Sequence, residues 1–302
     1  MDELEDLGVA HRVGAALAPL TWYRCGGPAR VLVVPGDAGE LAAAVRLCRE
    51  AGEVVRVLGG GANLLVADAG VDAVVLRLSA PAFRGFEVLA ADRVRVGAGH
   101  DLFTLCNTAA RRGLAGLSQL AGVPGTLGGA IRMNAGGSHG DIGGAVQAVE
   151  VVDLTTGEPH RLTGNALRFG YRRSDLGGIA DPLVTAAELR VTPTDPATVQ
   201  ASVRAILAEK KRTQPMSERS AGCSFRNPDT SVSDRPAGAL IDAAGLKGFR
   251  IGTAEVSTRH ANFLTLDPDG RADDAIALLT HVAGVVHERF GVRLQREVVV
   301  WE

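Results

Sequence analysis

The chain lacks any CxxC pair among its four cysteines, Cys25, Cys48, Cys106 and Cys223. No cysteine–histidine spacing suggests a zinc site, so no metal ligand set is expected. It also lacks any apolar run near the roughly 20 residues that a membrane helix needs. Its opening residues, Met1-Asp2-Glu3, are acidic and carry neither the basic nor the apolar region of a signal peptide. Few cysteines and no export signal read as a cytoplasmic protein with reduced thiols. A net charge of −2 argues against a broad nucleic-acid surface but leaves room for a local basic site. No internal repeat is apparent.

What is abundant is glycine. Residues 113–144 hold 11 of the chain's 38 glycines. Each costs more backbone entropy to order than any other residue. The segment is not linker, because Leu114, Leu117, Leu120, Val123, Leu127, Ile131 and Met133 give it apolar groups to bury. Backbone that is both glycine-rich and buried points to close approach of something, commonly a phosphate.

At 302 residues the chain is long enough for two domains, or two lobes around a cleft. Strand and helix signals alternate. Val31–Val34 and Val54–Leu58 read as buried strands around a helix capped by Asp37, supported by Glu40 and ended at Gly52. Such a strand–helix–strand unit favours parallel pairing. Leu41, Ala44, Val45 and Cys48 form that helix's apolar face. Further strands are expected at Ala73–Leu78 and Arg93–Gly97. Asp101 caps a second helix, which ends at Gly113 and buries Cys106. Val149–Leu154 and Glu158–Leu162 read as a hairpin, and Leu183–Val191 as another strand. Asp195-Pro196 starts a helix that runs to about Arg212. Beyond it come a short helix at Ala237–Ala244, strands at Ile251–Val256 and Asn262–Leu266, and a helix from Asp273 to Gly291. Ile276, Leu279, Ala283, Val286 and Phe290 mark one face of that helix. A last strand is expected from Val292 to Val300. The main boundary falls near residue 193.

Five motifs carry chemistry. Gly59-Gly60-Gly61-Ala62-Asn63-Leu64 follows a strand, as a phosphate-binding turn should. Leu64 replaces the third glycine of a dinucleotide fingerprint and no long helix follows, so a Rossmann site is excluded. The choice is between a tight turn and a nest of N–H groups around a pyrophosphate. Gly122-Val123-Pro124-Gly125-Thr126 suggests a helix start with N–H groups free for an anion. Gly128-Gly129 thins that helix, either for an approaching ligand or for helix–strand packing. Asn134 follows with donors and acceptors together.

Phe169-Gly170-Tyr171-Arg172-Arg173 places two arginines after aromatics: either a solvated surface, or, as the glycine and aromatics suggest, a partly buried setting where a guanidinium needs an anion. Lys210-Lys211-Arg212 compensates a helix C-terminus or binds phosphate. It leads into Ala221-Gly222-Cys223-Ser224-Phe225-Arg226-Asn227-Pro228. Glu297 interrupts an apolar strand, where alternation alone would turn it outward. Cys25, before Gly26-Gly27-Pro28, reads as packing.

In order and spacing these motifs resemble the UDP-N-acetylenolpyruvoylglucosamine reductase family, from about Leu20 to Val300. The carriers are the glycine turn, A-G-V-P-G-T-x-G-G-A-x-x-M-N-A-G, G-Y-R-x-S, K-R-x-x-x-P, A-G-C-x-F-x-N-P and the late glutamate. Thr21-Trp22-Tyr23-Arg24-Cys25-Gly26-Gly27-Pro28-Ala29 is similar to the family's opening motif. The resemblance implies an α+β fold: an FAD-binding region of the vanillyl-alcohol-oxidase (PCMH) type over 1–192, with subdomains of about 1–78 and 79–192, and a substrate-binding domain over 193–302. It implies FAD held by Gly59, Gly60, Gly61, Ala62, Asn63 and Leu64, and by Gly122, Gly125, Thr126, Gly128, Gly129, Asn134 and Ala135.

The implied chemistry is NADPH-dependent reduction of a UDP-sugar enolpyruvyl ether for peptidoglycan synthesis. Neither a nucleic acid nor an obligate protein partner enters it. Arg172 matches the arginine that holds the carboxylate, and Glu297 the acid beside it. Tyr171, Lys211, Asn227 and His260 match substrate-side residues, with Asn262 near them. Cys223 stands where well-known members carry a proton-donating serine. A thiol, with a pKa near 8.5, is the stronger acid. Ser224 is the alternative donor. Only Tyr23 and Tyr171 are present, and neither lies in an insertion. The resemblance is therefore to the family's shorter form, which lacks a tyrosine-bearing loop. Two other readings remain at this point: a different flavin oxidoreductase of the same fold, and an inactive binding homologue.

Overall fold

The computed structural model describes residues Gly8–Glu302. They form two compact units. One takes the residues up to Gly14, Arg30–Gly60 and Asp72–Ala208; the other takes Ala15–Ala29, Gly61–Val71 and Glu209–Glu302.

In the first unit, helix α1 (Ala38–Glu50) starts as its sequence requires. Asp37 accepts the Glu40 N–H at 2.9 Å, and Glu40 reaches back to the Gly36 N–H at 2.7 Å. Its face of Leu41, Ala44, Val45 and Cys48 is buried. The strands on either side, Pro28–Val33 and Val55–Val57, share a four-stranded sheet but are not neighbours. Val71–Leu76 lies between them and pairs in parallel with Val55–Val57, Val55 facing Val74. The direct pairing favoured by the strand–helix–strand pattern is thus corrected. Ala73, Val74, Val75 and Leu76 are all buried, and that near-continuous apolar run suits the inner position.

A five-stranded antiparallel sheet has the order Pro159–Thr163, Val146–Asp153, Pro182–Arg190, Arg93–Gly97, Phe86–Ala90. Helix α2 (Leu102–Arg111) is capped by Asp101, which accepts the Thr104 N–H at 2.8 Å. Cys106 lies in its buried face. Helix α3 (Leu127–Met133) follows the glycine-rich turn. One core cluster joins these layers, with Val33, Leu76, Val94, Val96, Leu105, Leu127, Ile131, Val149 and Leu189 fully enclosed. Helix α4 (Pro196–Thr213) begins at Asp195, whose carboxylate accepts the Thr198 N–H at 2.9 Å. The division between the units falls within α4, after Ala208.

In the second unit, helices α5 (Ala237–Ala243) and α6 (Ala272–Phe290) share a core with a three-stranded sheet. The single strand expected over Ile251–Val256 is a hairpin, Arg250–Ile251 against Ala254–Val256, because Gly252 turns at φ +55°. The buried stripe of α6 is Ala272, Ala275, Leu278, Leu279, Val282 and Val286. Ile276, Ala283 and Phe290 flank it half-buried, so the core face is rotated from the one expected. The expected strand from Val292 shrinks to Val299–Trp301, which pairs in parallel with Leu64–Val66. Residues 292–298 run without regular secondary structure apart from a single bridge between Arg296 and Phe225.

Candidate active site

The glycine turn after Val55–Val57 is defined by what it cannot accommodate. A Cβ on Gly60 would stand 2.6 Å from the Gly125 Cα, and one on Gly59 2.8 Å from the Thr126 Oγ1. The two turns expected to act together therefore touch, backbone to backbone. Gly61 has φ +63°, and a Cβ there would meet the Leu20 carbonyl at 2.1 Å. Among the described residues, the backbone N–H groups of Gly59, Gly60, Gly61, Ala62 and Asn63 donate to no protein acceptor. Successive N–H groups around a left-handed residue make an anion nest. That donor set fits a pyrophosphate.

At the start of α3 two N–H groups are tied to a neighbouring segment. The Leu127 N–H donates to the His100 carbonyl at 2.9 Å and the Gly128 N–H to the Ala98 carbonyl at 2.8 Å. Those two donors are taken by backbone, while the N–H groups of Gly125, Thr126 and Gly129 donate to no protein acceptor among the described residues. Gly128 is a packing glycine, since its Cβ would lie 3.0 Å from the Ala98 Cβ. A Cβ on Gly129 would meet only Thr126 Oγ1, at 3.7 Å. Gly122 and Gly125 turn at φ +70° and +112°.

Asn134 ends α3 in the left-handed conformation, φ +42°. Its side chain is buried, and its amide donates to Asp141 at 3.0 Å and to the Gly170 carbonyl at 2.9 Å. Its Oδ1 accepts the Gly143 N–H at 3.0 Å. The adjoining Ala135 is tied by its N–H to the Ala130 carbonyl.

Through Gly170, Asn134 holds the hairpin of Leu167–Gly170 and Arg173–Leu176. Its two-residue loop is Tyr171-Arg172. Arg172 has φ +52°, a region that costs a non-glycine residue roughly 1–2 kcal/mol. Strain of this kind collects where a side chain must be aimed. The guanidinium lies 5.2 Å from the Tyr171 ring centroid, a cation–π contact that orients both. Arg172 is half-buried, as its motif suggested, while Tyr171 is 55% exposed.

In the second unit, Cys223 is half-buried and bridges to Phe263. Ser224, next to it, is 1% exposed. Its hydroxyl lies beside that of buried Tyr23, whose pKa is pushed up by burial. The Glu297 N–H donates to the Ser224 carbonyl at 2.8 Å, and the Arg226 N–H to the Gln295 carbonyl at 2.9 Å. The thiol-bearing and carboxylate-bearing segments are thus directly bonded. Asn63 joins them: its amide donates to the Glu297 carbonyl at 3.0 Å. Glu297 is half-buried, not turned outward. Leu64 is buried and faces Val299 in the parallel pair.

Asn227 accepts the Ala237 N–H at 3.0 Å and so caps α5, where Pro236 supplies no side-chain cap. Lys211 is exposed near the end of α4, and its carbonyl accepts from Arg259 at 3.2 Å. His260 Nδ1 accepts the Asn262 N–H at 3.2 Å, which leaves Nε2–H as its donor. Burial, aided by Lys247, lowers the His260 pKa and keeps the ring neutral near pH 7. Gly26 and Gly27 pack on Val66–Gly70, and buried Cys25 has its thiol pushed up to about 12 by burial. Cys25 is therefore packing, as its sequence suggested.

Comparisons with known proteins cover both units. Residues 29–163 match the FAD binding domain family, and residues 214–301 match the family described as UDP-N-acetylenolpyruvoylglucosamine reductase, C-terminal domain. The UDP-N-acetylenolpyruvoylglucosamine reductase of Anaeromyxobacter sp. (strain Fw109-5) is 41% identical over 284 residues, spanning 94% of this chain and 86% of its own. The chain belongs to the UDP-N-acetylenolpyruvoylglucosamine reductase family. The Myxococcus xanthus reductase is 39% identical over 300 residues, 98% of this chain and 94% of its own. The crystal structure of the Thermus caldophilus reductase superposes with a TM-score of 0.81 at 36% identity, covering 97% and 99% of the two chains. The α+β class with a PCMH-type FAD-binding region is therefore correct, and the chain is an FAD-dependent oxidoreductase of the reductase family.

Sequence reasoning named Thr126 and Asn262 without these contacts and passed over Arg259. Thr126 Oγ1 stands against Gly59, Arg259 holds the Lys211 carbonyl, and Asn262 grips the Cys223 segment. A buried asparagine beside a histidine in an apolar stretch was the available signal for the last.

Proposed function

We propose that this chain reduces UDP-N-acetylglucosamine enolpyruvate to UDP-N-acetylmuramate, with NADPH as hydride donor. The bond between Glu297 N–H and the Ser224 carbonyl carries the proposal, because it puts a thiol and a carboxylate on paired segments. FAD, when bound, supplies the hydride chemistry between NADPH and C3 of the enolpyruvyl group. Gly59–Asn63 would hold its pyrophosphate by N–H donation, backed by Gly125 and Thr126. Gly122, Gly128, Gly129 and Ala135 shape the backbone beside it, and Asn134 acts through the hairpin it holds.

The residues of this chain then manage charge and one proton. Arg172 binds the substrate carboxylate and stabilises the negative charge that spreads towards it from C2. Fixed charge aimed at developing charge is commonly the largest catalytic contribution. Cys223 gives its Sγ proton to C2. It is half-exposed, whereas the Ser224 hydroxyl is enclosed beside Tyr23, which favours the thiol over the neighbouring hydroxyl. Glu297 works beside the carboxylate. Lys211 supplies charge to the nucleotide phosphates, Tyr171 flanks the reacting group, and His260 offers Nε2–H. Asn227 keeps the substrate-side turn in place by capping α5.

The functional boundary near 193 and the shorter-form assignment belong to the same proposal, the latter supported by the presence of only two tyrosines. No helix of the described residues is long and apolar enough to cross a membrane. The deciding experiment is NADPH oxidation by the purified yellow protein, with and without UDP-N-acetylglucosamine enolpyruvate. Oxidation that depends on the enolpyruvyl sugar is expected. A flavin-loaded protein with no such dependence would overturn the proposal in favour of an inactive homologue.

A further inference from the structure

Asn262 is 3% exposed and uses nearly all its polar atoms on one short stretch. Its Oδ1 accepts the Phe225 N–H at 3.0 Å, and its Nδ2 donates to the Phe225 carbonyl at 2.8 Å. Its own carbonyl accepts the Ser224 N–H at 2.8 Å, and its N–H donates to His260 Nδ1 at 3.2 Å. A single carboxamide thus reads both backbone groups of Phe225. The other edge of the stretch is fixed by Glu297 and Gln295, through Ser224 and Arg226.

A buried carboxamide is an expensive way to add stability, since one unsatisfied partner costs about 1–3 kcal/mol. What it supplies is register. Side chains of an extended segment alternate, so a slip of one residue exchanges the two faces. Here the faces differ chemically. Cys223 is half-exposed, while Ser224 is enclosed near Tyr23. A one-residue slip would bury the thiol and present the hydroxyl. The pairing here consists of two isolated bridges, Cys223 with Phe263 and Phe225 with Arg296, not a long ladder, so backbone bonds alone fix the register weakly.

We propose that Asn262 is a positioning residue for proton transfer: its carboxamide locks Cys223–Phe225 in the register that presents the Cys223 thiol on the segment bonded to Glu297. The proposal rests on the reductase chemistry above. Arg259, three residues earlier, holds the carbonyls of Lys211 and Gln214 at 3.2 Å each. One loop therefore fixes both the expected phosphate-binding lysine and the thiol.

The test uses the FAD-loaded protein carrying Asn262→Leu or Asn262→Asp. Flavin reduction by NADPH and flavin reoxidation by UDP-N-acetylglucosamine enolpyruvate are followed separately. A misplacement near 1 Å costs about 10²-fold, so Asn262→Leu is expected to slow reoxidation by that order with reduction by NADPH unchanged. Asn262→Asp reproduces the donor–acceptor pair only when its carboxyl is protonated. Its reoxidation rate should therefore recover as pH falls, unlike the parent's. If Asn262→Leu fails to fold, that pH profile decides: recovery supports the proposal, and a profile parallel to the parent's overturns it. Parent-like reoxidation in Asn262→Leu also overturns it, as does an equal loss of both half-reactions.

Alkylation of Cys223 by iodoacetamide, mapped by peptide mass spectrometry, gives a readout independent of turnover. It should change in Asn262→Leu, and an unchanged rate overturns the proposal. A parent that alkylates normally but is never reoxidised by the sugar would instead sink the reductase assignment.

Discussion

Asn63 and Glu297, 234 residues apart in sequence, are joined by a hydrogen bond of 3.0 Å from the asparagine amide to the glutamate carbonyl. The contact continues as Val299 N–H to the Asn63 carbonyl at 3.0 Å, and then as the parallel pair Leu64–Val66 with Val299–Trp301. Glu297 is therefore held on one side by the glycine turn and on the other by Ser224. Its backbone is thus fixed from both sides.

Asn63→Ala should consequently do two things. Removing one partner of a part-buried hydrogen bond costs about 1 kcal/mol or somewhat more, visible as a lower denaturation midpoint. It should also slow flavin reoxidation by the enolpyruvyl sugar, measured in a single turnover. Asn63→Asp, which keeps the size but loses the donor, should behave like the alanine variant near neutral pH.

Gly60→Ala should lose flavin. Its Cβ would press on the Gly125 Cα at 2.6 Å, where neither side is a flexible side chain that can swing away. The two turns must part, and the nest opens. The ratio of flavin absorbance to protein in the purified variant should fall well below the parent's. Full flavin retention would show that the turn does not hold the pyrophosphate.

Cys223→Ala should leave flavin reduction by NADPH intact and slow reoxidation by about 10²- to 10⁴-fold, the usual range for a lost general acid. Cys223→Ser should restore much of that rate, because a hydroxyl in the same place can donate. If the alanine variant is reoxidised as fast as the parent, the thiol is not the donor.

The glycine-rich motifs predicted close backbone approach, and the contact between Gly60 and Gly125 provides it. Helix ends were equally legible, because a cap is a local event: Asp37, Asp101 and Asp195 each accept the N–H three residues on. The pairing of Leu64–Val66 with Val299–Trp301 was not legible, since three apolar residues carry no record of a partner over two hundred positions away. Nor was the loss of two N–H donors at the start of α3: those of Leu127 and Gly128 go to the His100 and Ala98 carbonyls of a neighbouring segment, a partner the local sequence does not record. The rotated face of α6 has a similar cause: nearly every turn offers an apolar residue on both candidate faces, and packing made the choice.

Acid should weaken the five-stranded sheet at a definable place. Arg95 grips Glu150 with two bonds, 2.8 and 2.6 Å, and this hydrogen bonding lowers the Glu150 pKa. A lowered folded-state value means the stabilisation is full above the ordinary glutamate value of about 4.5 and is lost as pH falls through the lowered one. The difference in melting temperature between the parent and Glu150→Gln should therefore be largest near neutral pH and shrink as pH falls below that ordinary value. A difference that does not depend on pH would contradict the pairing.

The parallel pair that closes the second unit also sets a timetable for biosynthesis. A ribosome adds about 5–20 residues per second, so residue 299 emerges on the order of 10–50 s after residue 64. Throughout that interval the first unit can fold, while Asn63 and the strand after it wait without their partner. The turn's last residue and the strand after it are fixed in place only once residues 297–301 have been made.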